Sequence, residues 1–85
     1  MAKYKIQVKK SAAKELGKIP QKELVKILGK IENLSINPHP AGSIKLTNQE
    51  KYRIRIGNYR VLYSIEDNIL TVFIVKVGHR KNIYR

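Results

Sequence analysis

A short run of ionisable side chains follows the last apolar segment of the sequence. That segment, from Leu70 to Val77, stops at Gly78, and an imidazole, two guanidiniums, an ammonium and a phenol follow it: His79, Arg80, Arg85, Lys81 and Tyr84. Arginine can hold a phosphate through two parallel N–H donors, whereas His and Tyr can exchange protons. These residue types therefore predict a site that binds a phosphate and moves a proton beside it.

A second group of cations lies in a predicted β-hairpin. Two alternating runs, Tyr52–Ile56 and Tyr59–Ile65, flank the turn dipeptide Gly57-Asn58. A two-residue turn pairs Ile56 with Tyr59, Arg55 with Arg60, Ile54 with Val61 and Arg53 with Leu62. Like charges directly opposite each other cost a few tenths to about 1 kcal/mol, so the opposed arginines indicate that an anion normally sits between them. Arg53 shares their face, while Tyr52, Ile54, Ile56, Val61 and Tyr63 share the other face, which we assign to the core.

Charge and composition point the same way. The 85 residues make one domain, 1–85, with a formal net charge of +12 and with all five arginines placed after residue 50. Such an excess of positive charge predicts a polyanionic partner, with nucleic acid as the first candidate. The sequence has no cysteine, two histidines and no apolar run of the roughly 18 residues that a membrane span needs. We therefore expect a cytoplasmic protein that uses no metal and no cofactor and has no membrane partner.

The elements that must position these groups follow from the hydrophobic periods. Apolar and polar residues alternate strictly over 3–9, which predicts a strand. A short helix follows, with Ser11 as its N-cap. Gly17 lies near its end, where glycine can adopt a positive φ without strain. Residues 21–34 follow the helical period, with Leu24, Val25, Ile27, Leu28, Ile31 and Leu34 inward. After the loop 37–42, three strands make an antiparallel meander. The predicted fold class is α+β: a small antiparallel sheet, made of the N-terminal strand and the meander, carries the helical hairpin on one face.

Three blocks of this sequence together resemble one protein family. They are Tyr52-Arg53-Ile54-Arg55-Ile56, Tyr59-Arg60-Val61-Leu62-Tyr63, and Val77-Gly78-His79-Arg80 with the ending Tyr84-Arg85. At these spacings, and with the order strand, two helices and meander, the whole chain resembles the RelE toxins of bacterial and archaeal toxin–antitoxin systems. The resemblance implies an endoribonuclease that enters the ribosomal A site, cuts messenger RNA there and so inhibits translation.

The resemblance also implies roles for individual residues. Arg60 and Arg80 match arginines that stabilise the transition state, Tyr84 matches the catalytic tyrosine, and Arg53 and Arg55 match basic strand residues. Attack by the RNA's own 2′-hydroxyl needs no metal and no protein nucleophile, only in-line geometry, proton transfer and charge compensation. We therefore expect Arg60, Arg80, Tyr84 and His79 to be catalytic, and Arg53, Arg55, Lys51, Lys81 and Arg85 to bind RNA and its phosphates.

The identity of the general base stays open between Tyr84 and His79. Some members of the family carry lysine where this chain has Arg55, and lysine can lose its proton beside other cations. A guanidinium keeps its proton in proteins, so Arg55 cannot serve as the base. Tyr52, Tyr59 and Tyr63 are interpreted as core or cross-strand aromatic residues, and His39, between two prolines, as an exposed loop histidine.

Two other functions fit part of the pattern. A gyrase-inhibiting toxin of the related ParE branch would share the fold without the catalytic cluster, and a non-enzymatic RNA-binding domain would need only the basic face. For the enzyme, the expected partners are the ribosome with its A-site messenger RNA and ribosomal RNA, and a cognate acidic antitoxin. The antitoxin would fold onto the basic surface and form a toxin–antitoxin hetero-oligomer.

Overall fold

A computed structural model of the chain describes residues 3–46 and 51–79. Its elements in chain order are β1 (Lys5–Val8), α1 (Lys10–Leu16), α2 (Gln21–Asn33), β2 (Ile44–Lys45), β3 (Lys51–Ile56), β4 (Tyr59–Glu66) and β5 (Thr71–His79). A 3-10 turn, Asp67–Ile69, joins β4 to β5. Neither helix is long and apolar enough to cross a bilayer. The predicted α+β fold, with a helical hairpin between an N-terminal strand and a strand meander, is confirmed.

All five strands form one mixed sheet in the order β1-β5-β4-β3-β2. β3, β4 and β5 make the predicted antiparallel meander, but β1 runs parallel to β5, with Lys5 opposite Thr71. The expectation of a wholly antiparallel sheet is therefore wrong at this edge. The connection from β1 to β5 contains both helices and the three strands β2, β3 and β4, so it is long enough for the crossover that a parallel pair requires. The two-residue strand β2 at the other edge was not predicted, because it is too short to show a hydrophobic period.

The core lies between the two helices and one face of the sheet. Its buried residues are Ala12, Ile27, Ile31 and Leu34 from the helical region and Ile54, Ile56, Val61, Tyr63, Val72, Ile74 and Val77 from the strands. Val25 and Leu28 were predicted to point inward but are 62% and 46% exposed. At 3.6 residues per turn they lie on the solvent side of the stripe that Ile27 and Ile31 form.

The ends of α1 also differ from the prediction. The helix begins at Lys10, after Lys9, without a side-chain cap, so Ser11 lies inside it. Gly17 has a φ of −66°, which any residue adopts. Backbone bonds close this end instead, since the N–H of Gly17 donates to the carbonyl of Ala13 at 3.2 Å.

Candidate functional site

The β3–β4 hairpin sets the positions of the arginines in the described residues. Gly57 has a φ of +60°, a conformation that a residue without a Cβ adopts readily, and the turn is two residues long. All four predicted cross-strand pairs are confirmed, and Arg55 lies directly opposite Arg60. We call the side of the sheet that carries Arg53, Arg55 and Arg60 the arginine face. The other side, on which α1 and α2 pack, is the helix face.

Arg60 is the buried member of this group. Only 8% of its surface is exposed and its Nε atom has no contact with solvent, whereas Arg55 is exposed and Arg53 is half-buried. Across the β4–β5 ladder, Arg60 pairs with Gly78, which has no side chain to fill the neighbouring position. A buried guanidinium loses hydration, and Arg55 adds like-charge repulsion. The repulsion between the two arginines costs stability, and an anion bound between them would offset it.

Two lysines add positive charge to the arginine face. Lys51 pairs with Ser64, and Lys76 pairs with Leu62, which lies opposite Arg53 on the hairpin. Alternation along the strands therefore places both lysines on the side of the arginines. Lys51 was among the predicted RNA-binding residues, but Lys76 was missed. Its position between Val75 and Val77 in an otherwise apolar strand is the signal that could have identified it.

His79 lies on the helix face. It pairs with Tyr59, the residue before Arg60, and the two rings meet edge to face with their centroids 5.5 Å apart. Successive residues of a strand point to opposite sides of the sheet, so the register separates the imidazole from Arg55 and Arg60. His79 instead lines a groove of about 700 Å³ between α1 and β5, together with Lys9, Glu15 and Lys18.

The remaining predicted site residues lie outside the described part of the chain. They are Arg80, Lys81, Tyr84 and Arg85. Their roles stay predictions.

A cluster of rings on the helix face accounts for the other aromatic residues near the hairpin. Tyr63 is fully buried, stacks on Tyr52 with ring centroids 5.8 Å apart, and donates its hydroxyl proton to the carbonyl of Pro38 at 2.9 Å. His39 meets Tyr52 edge to face at 5.1 Å. Burial raises the pKa of Tyr63, which keeps its hydroxyl protonated and able to donate. The interpretation of Tyr52 and Tyr63 as core or cross-strand aromatic residues is confirmed, and His39 is an exposed residue of the loop, as expected.

Comparisons with known proteins match both the sequence and this fold. The family model described as ParE toxin of type II toxin-antitoxin system, parDE, matches residues 6–84. Toxin RelG of Mycobacterium tuberculosis is 32% identical over 84 residues, which cover 96% of this chain and 97% of that protein.

Two solved structures are similar over nearly the whole chain. The toxin–antitoxin complex RelBE2 from Mycobacterium tuberculosis has a chain with a TM-score of 0.81 and 30% identity, covering 92% of this chain and 99% of that chain. The archaeal RelE–RelB complex from Pyrococcus horikoshii OT3 has a TM-score of 0.80 and 26% identity, covering 96% of this chain and 99% of that chain.

Proposed function

Because the chain belongs to the family of RelE and ParE toxins of type II toxin–antitoxin systems, we propose that it is an endoribonuclease that cuts messenger RNA in the ribosomal A site. The resemblance to RelE toxins seen in the sequence is confirmed by these relatives. The reaction in this proposal is metal-independent attack of a 2′-hydroxyl on the adjacent phosphate, and loss of the message inhibits translation. The observation that carries the proposal is the buried Arg60 directly opposite Arg55.

The reaction needs charge compensation above all. The 2′-oxygen forms a bond to phosphorus while the bond to the 5′-oxygen of the next nucleotide breaks, which leaves a 2′,3′-cyclic phosphate and a 5′-hydroxyl. A base removes the proton from the 2′-hydroxyl, and an acid protonates the leaving 5′-oxygen. The pentavalent phosphate between these states carries extra negative charge, so cations fixed beside it bind the transition state better than the substrate. Arg60 is a buried residue of β4, which has a neighbouring strand on each side, so its side chain needs little reorganisation to stabilise this charge.

The proposed roles divide the basic residues by their distance from the phosphate. Arg60 and Arg80 hold the scissile phosphate, while Arg53, Arg55 and Lys51 bind the flanking RNA, with Lys81 and Arg85 adding to the attraction. Tyr84 stacks on a nucleotide and transfers a proton. The register that sets His79 on the opposite side of the sheet from Arg60 favours Tyr84 over His79 as the general base, and this proposal gives His79 no proton-transfer role at that phosphate.

The proposed partners follow from charge and from the similar structures. RelBE2 and the archaeal RelE–RelB pair are complexes of a toxin with an antitoxin. A net charge of +12 suits an acidic antitoxin segment that folds as it binds. The ribosome and its messenger RNA, in the cytoplasm, are the polyanionic target, and the inhibited form is a toxin–antitoxin hetero-oligomer.

A gyrase-inhibiting toxin is the second candidate, because the matching family model is that of ParE toxins. In that case the fold would serve as a protein-binding module. The opposed arginines favour the nuclease, since a protein-binding module has no need of two guanidiniums facing each other at a cost in stability.

The decisive experiment maps messenger-RNA 5′ ends after the purified protein is added to programmed ribosomes. We expect cuts confined to A-site codons, lost with Arg80→Ala and strongly reduced with Tyr84→Phe, while Lys14→Gln on the exposed side of α1 cuts like wild type. Free RNA is the control for ribosome dependence. Intact messages, together with loss of gyrase supercoiling activity, would replace this proposal by the ParE-type function.

A further inference from the structure

Phe73, the single phenylalanine of the sequence, lies on the arginine face. In β5 it pairs with Ser64 of β4, and Ser64 pairs in turn with Lys51 of β3. Paired residues point to the same side of a sheet, so these three side chains lie on the side that carries the arginines. The residues before and after it in the strand, Val72 and Ile74, are fully buried on the helix face.

Phe73 and Leu62 form an apolar strip on this face. Leu62 lies two residues before Ser64 in β4, which makes it a diagonal neighbour of Phe73, within reach of an aromatic ring. Both side chains are half-buried. Among the described residues, the half-buried apolar side chains that pack against the core include Tyr59 and Ile65 but not Phe73 or Leu62. Packing in the core therefore does not explain the apolar strip.

Cations surround the apolar strip. Leu62 lies between Lys76 of β5 and Arg53 of β3, and Lys51 lies one strand beyond Ser64. An aromatic ring among fixed cations is the arrangement of single-stranded nucleic-acid sites, because the cations follow the backbone while the ring stacks on a base. A stable protein interface takes about 800 Å² from each partner, which is much more than two half-buried side chains provide. The strip therefore suits a nucleobase better than a protein partner.

Polar side chains adjoin the ring of Phe73 on both neighbouring strands. Gln7 of β1 pairs with it on one side, and Ser64 pairs with it on the other. An amide and a hydroxyl can donate to and accept from the edge of a base that stacks on the ring. In the next row of the described strands, Glu66 brings a negative charge to this face. This end of the face therefore suits a neutral base better than a phosphate.

We propose that Phe73 stacks on a base of the RNA beside the nucleotide that is cut. The inference rests on the proposed function for the identity of the polymer. Ser64, the neighbour of Phe73, lies four residues from Arg60 along β4, which is about 14 Å at 3.4 Å per residue. One nucleotide does not span this distance, so the stacked base flanks the scissile phosphate. Phe73 binds and positions the message and takes no part in proton transfer.

The first test measures binding without cleavage. Fluorescence anisotropy with a 2′-O-methyl RNA, which has no free 2′-hydroxyl to attack the phosphate, gives the affinity at several salt concentrations. We expect Phe73→Ala to weaken binding by about 5- to 150-fold, the loss typical of one stacked base. The slope of log affinity against log salt should not change, because no phosphate contact is removed.

Three further variants separate stacking from other effects of the substitution. Phe73→Tyr keeps the ring and should bind like wild type, whereas Phe73→Leu keeps an apolar side chain without the ring and should bind like Phe73→Ala. Leu28→Ala is the control, because Leu28 is an exposed apolar residue of α2, away from the arginine face. Urea denaturation establishes that each variant is folded, and Phe73→Leu carries the test if Phe73→Ala does not fold.

The second test locates the base on programmed ribosomes. The message carries one 5-iodouridine, placed at each position around the A-site codon in turn, with a 2′-O-methyl group at the cut site. We expect a photocross-link to Phe73 from one position that flanks the cut, identified by mass spectrometry and lost in Phe73→Leu.

The outcomes distinguish this inference from the proposed function. Unchanged RNA affinity in Phe73→Ala, or cross-links confined to other strands, would overturn the inference while cleavage by wild type upheld the nuclease. Unchanged affinity would also assign the apolar strip to a protein partner. A wild-type protein that neither cuts messages nor binds RNA would remove the proposed function and this inference together.

Discussion

The helix face and the arginine face are built from the same strands, and they differ in what burial does to the free energy of folding. On the helix face, burial of a side chain such as Val61 or Ile74 contributes about 1.5–3 kcal/mol. On the arginine face, one of the buried residues is the cation Arg60, and its cross-strand neighbour is Arg55. One face stabilises the fold, while the other carries a cost that a bound anion would offset. The difference indicates that the arginine face is kept for function.

The strongest test of this contrast is Arg60→Ala. We expect single-turnover cleavage on programmed ribosomes to fall by about 10²–10³-fold, the usual loss when one preset transition-state donor is removed. Arg60→Lys keeps the charge but loses the planar fork, so its activity should lie between those of wild type and Arg60→Ala. Cleavage by Arg60→Ala at the wild-type rate would remove Arg60 from the mechanism.

Substitutions in the core of the helix face should lower the free energy of unfolding. Ile74→Ala leaves a hole in the core, and we expect it to lower the free energy of unfolding by about 3 kcal/mol in urea denaturation. Ile69→Ala is the matched control, because Ile69 is 62% exposed and should change stability by less than about 0.5 kcal/mol. Equal losses in both variants would contradict the assigned core.

Tyr63 joins the helix face to the loop 37–42 through its hydrogen bond to the carbonyl of Pro38. This residue makes the free energy of unfolding depend on pH. Tyr63→Phe removes the bond to the Pro38 carbonyl and should cost about 1 kcal/mol at neutral pH. Because burial raises the pKa of Tyr63, the unfolded chain loses this proton first as pH rises past about 10. The stability that Tyr63 contributes is therefore complete below that pH and is lost as pH rises through the folded-state pKa. In urea denaturation between pH 7 and 11, the free energies of unfolding of wild type and Tyr63→Phe should converge as pH rises. A constant difference between them would contradict this prediction.

The smallest predicted effect is a gain in stability on substitution of Arg55. Arg55→Gln relieves the repulsion with Arg60 and should stabilise the protein by a few tenths to about 1 kcal/mol at low salt, and by less at high salt. Arg53→Gln, opposite Leu62, is the control and should give no such gain. A loss of stability in Arg55→Gln would mean that the two guanidiniums do not repel each other as the register implies.

The hairpin could be predicted from the sequence because its pairing depends on local information. Gly57-Asn58 allows a two-residue turn, and that length alone determines that Arg55 meets Arg60. The burial of Arg60 could not be predicted in the same way. Burial depends on the packing of the whole sheet, and Arg60 meets its second strand neighbour, Gly78, only through the separate pairing of β4 with β5.

The face of His79 escaped prediction for a related reason. The β4–β5 register shifts between Leu62 and Tyr63, so that Val75 is an extra residue in β5. One extra residue reverses the alternation, and His79 lies on the helix face instead of beside the arginines. No turn signal or apolar period marks such a bulge in the sequence.

The parallel pair of β1 with β5 has a consequence for the synthesis of the protein. Lys5 leaves the ribosome long before Thr71, its neighbour in the sheet, and contacts between residues so far apart form slowly. The nascent chain cannot complete its sheet until β5 has emerged, because β5 is the strand that joins β1 to β4. Arg60 likewise acquires its neighbour Gly78 only at that stage. A chain whose translation stops before residue 71 therefore has the arginines of the β3–β4 hairpin but lacks the ladder that sets Gly78 beside Arg60.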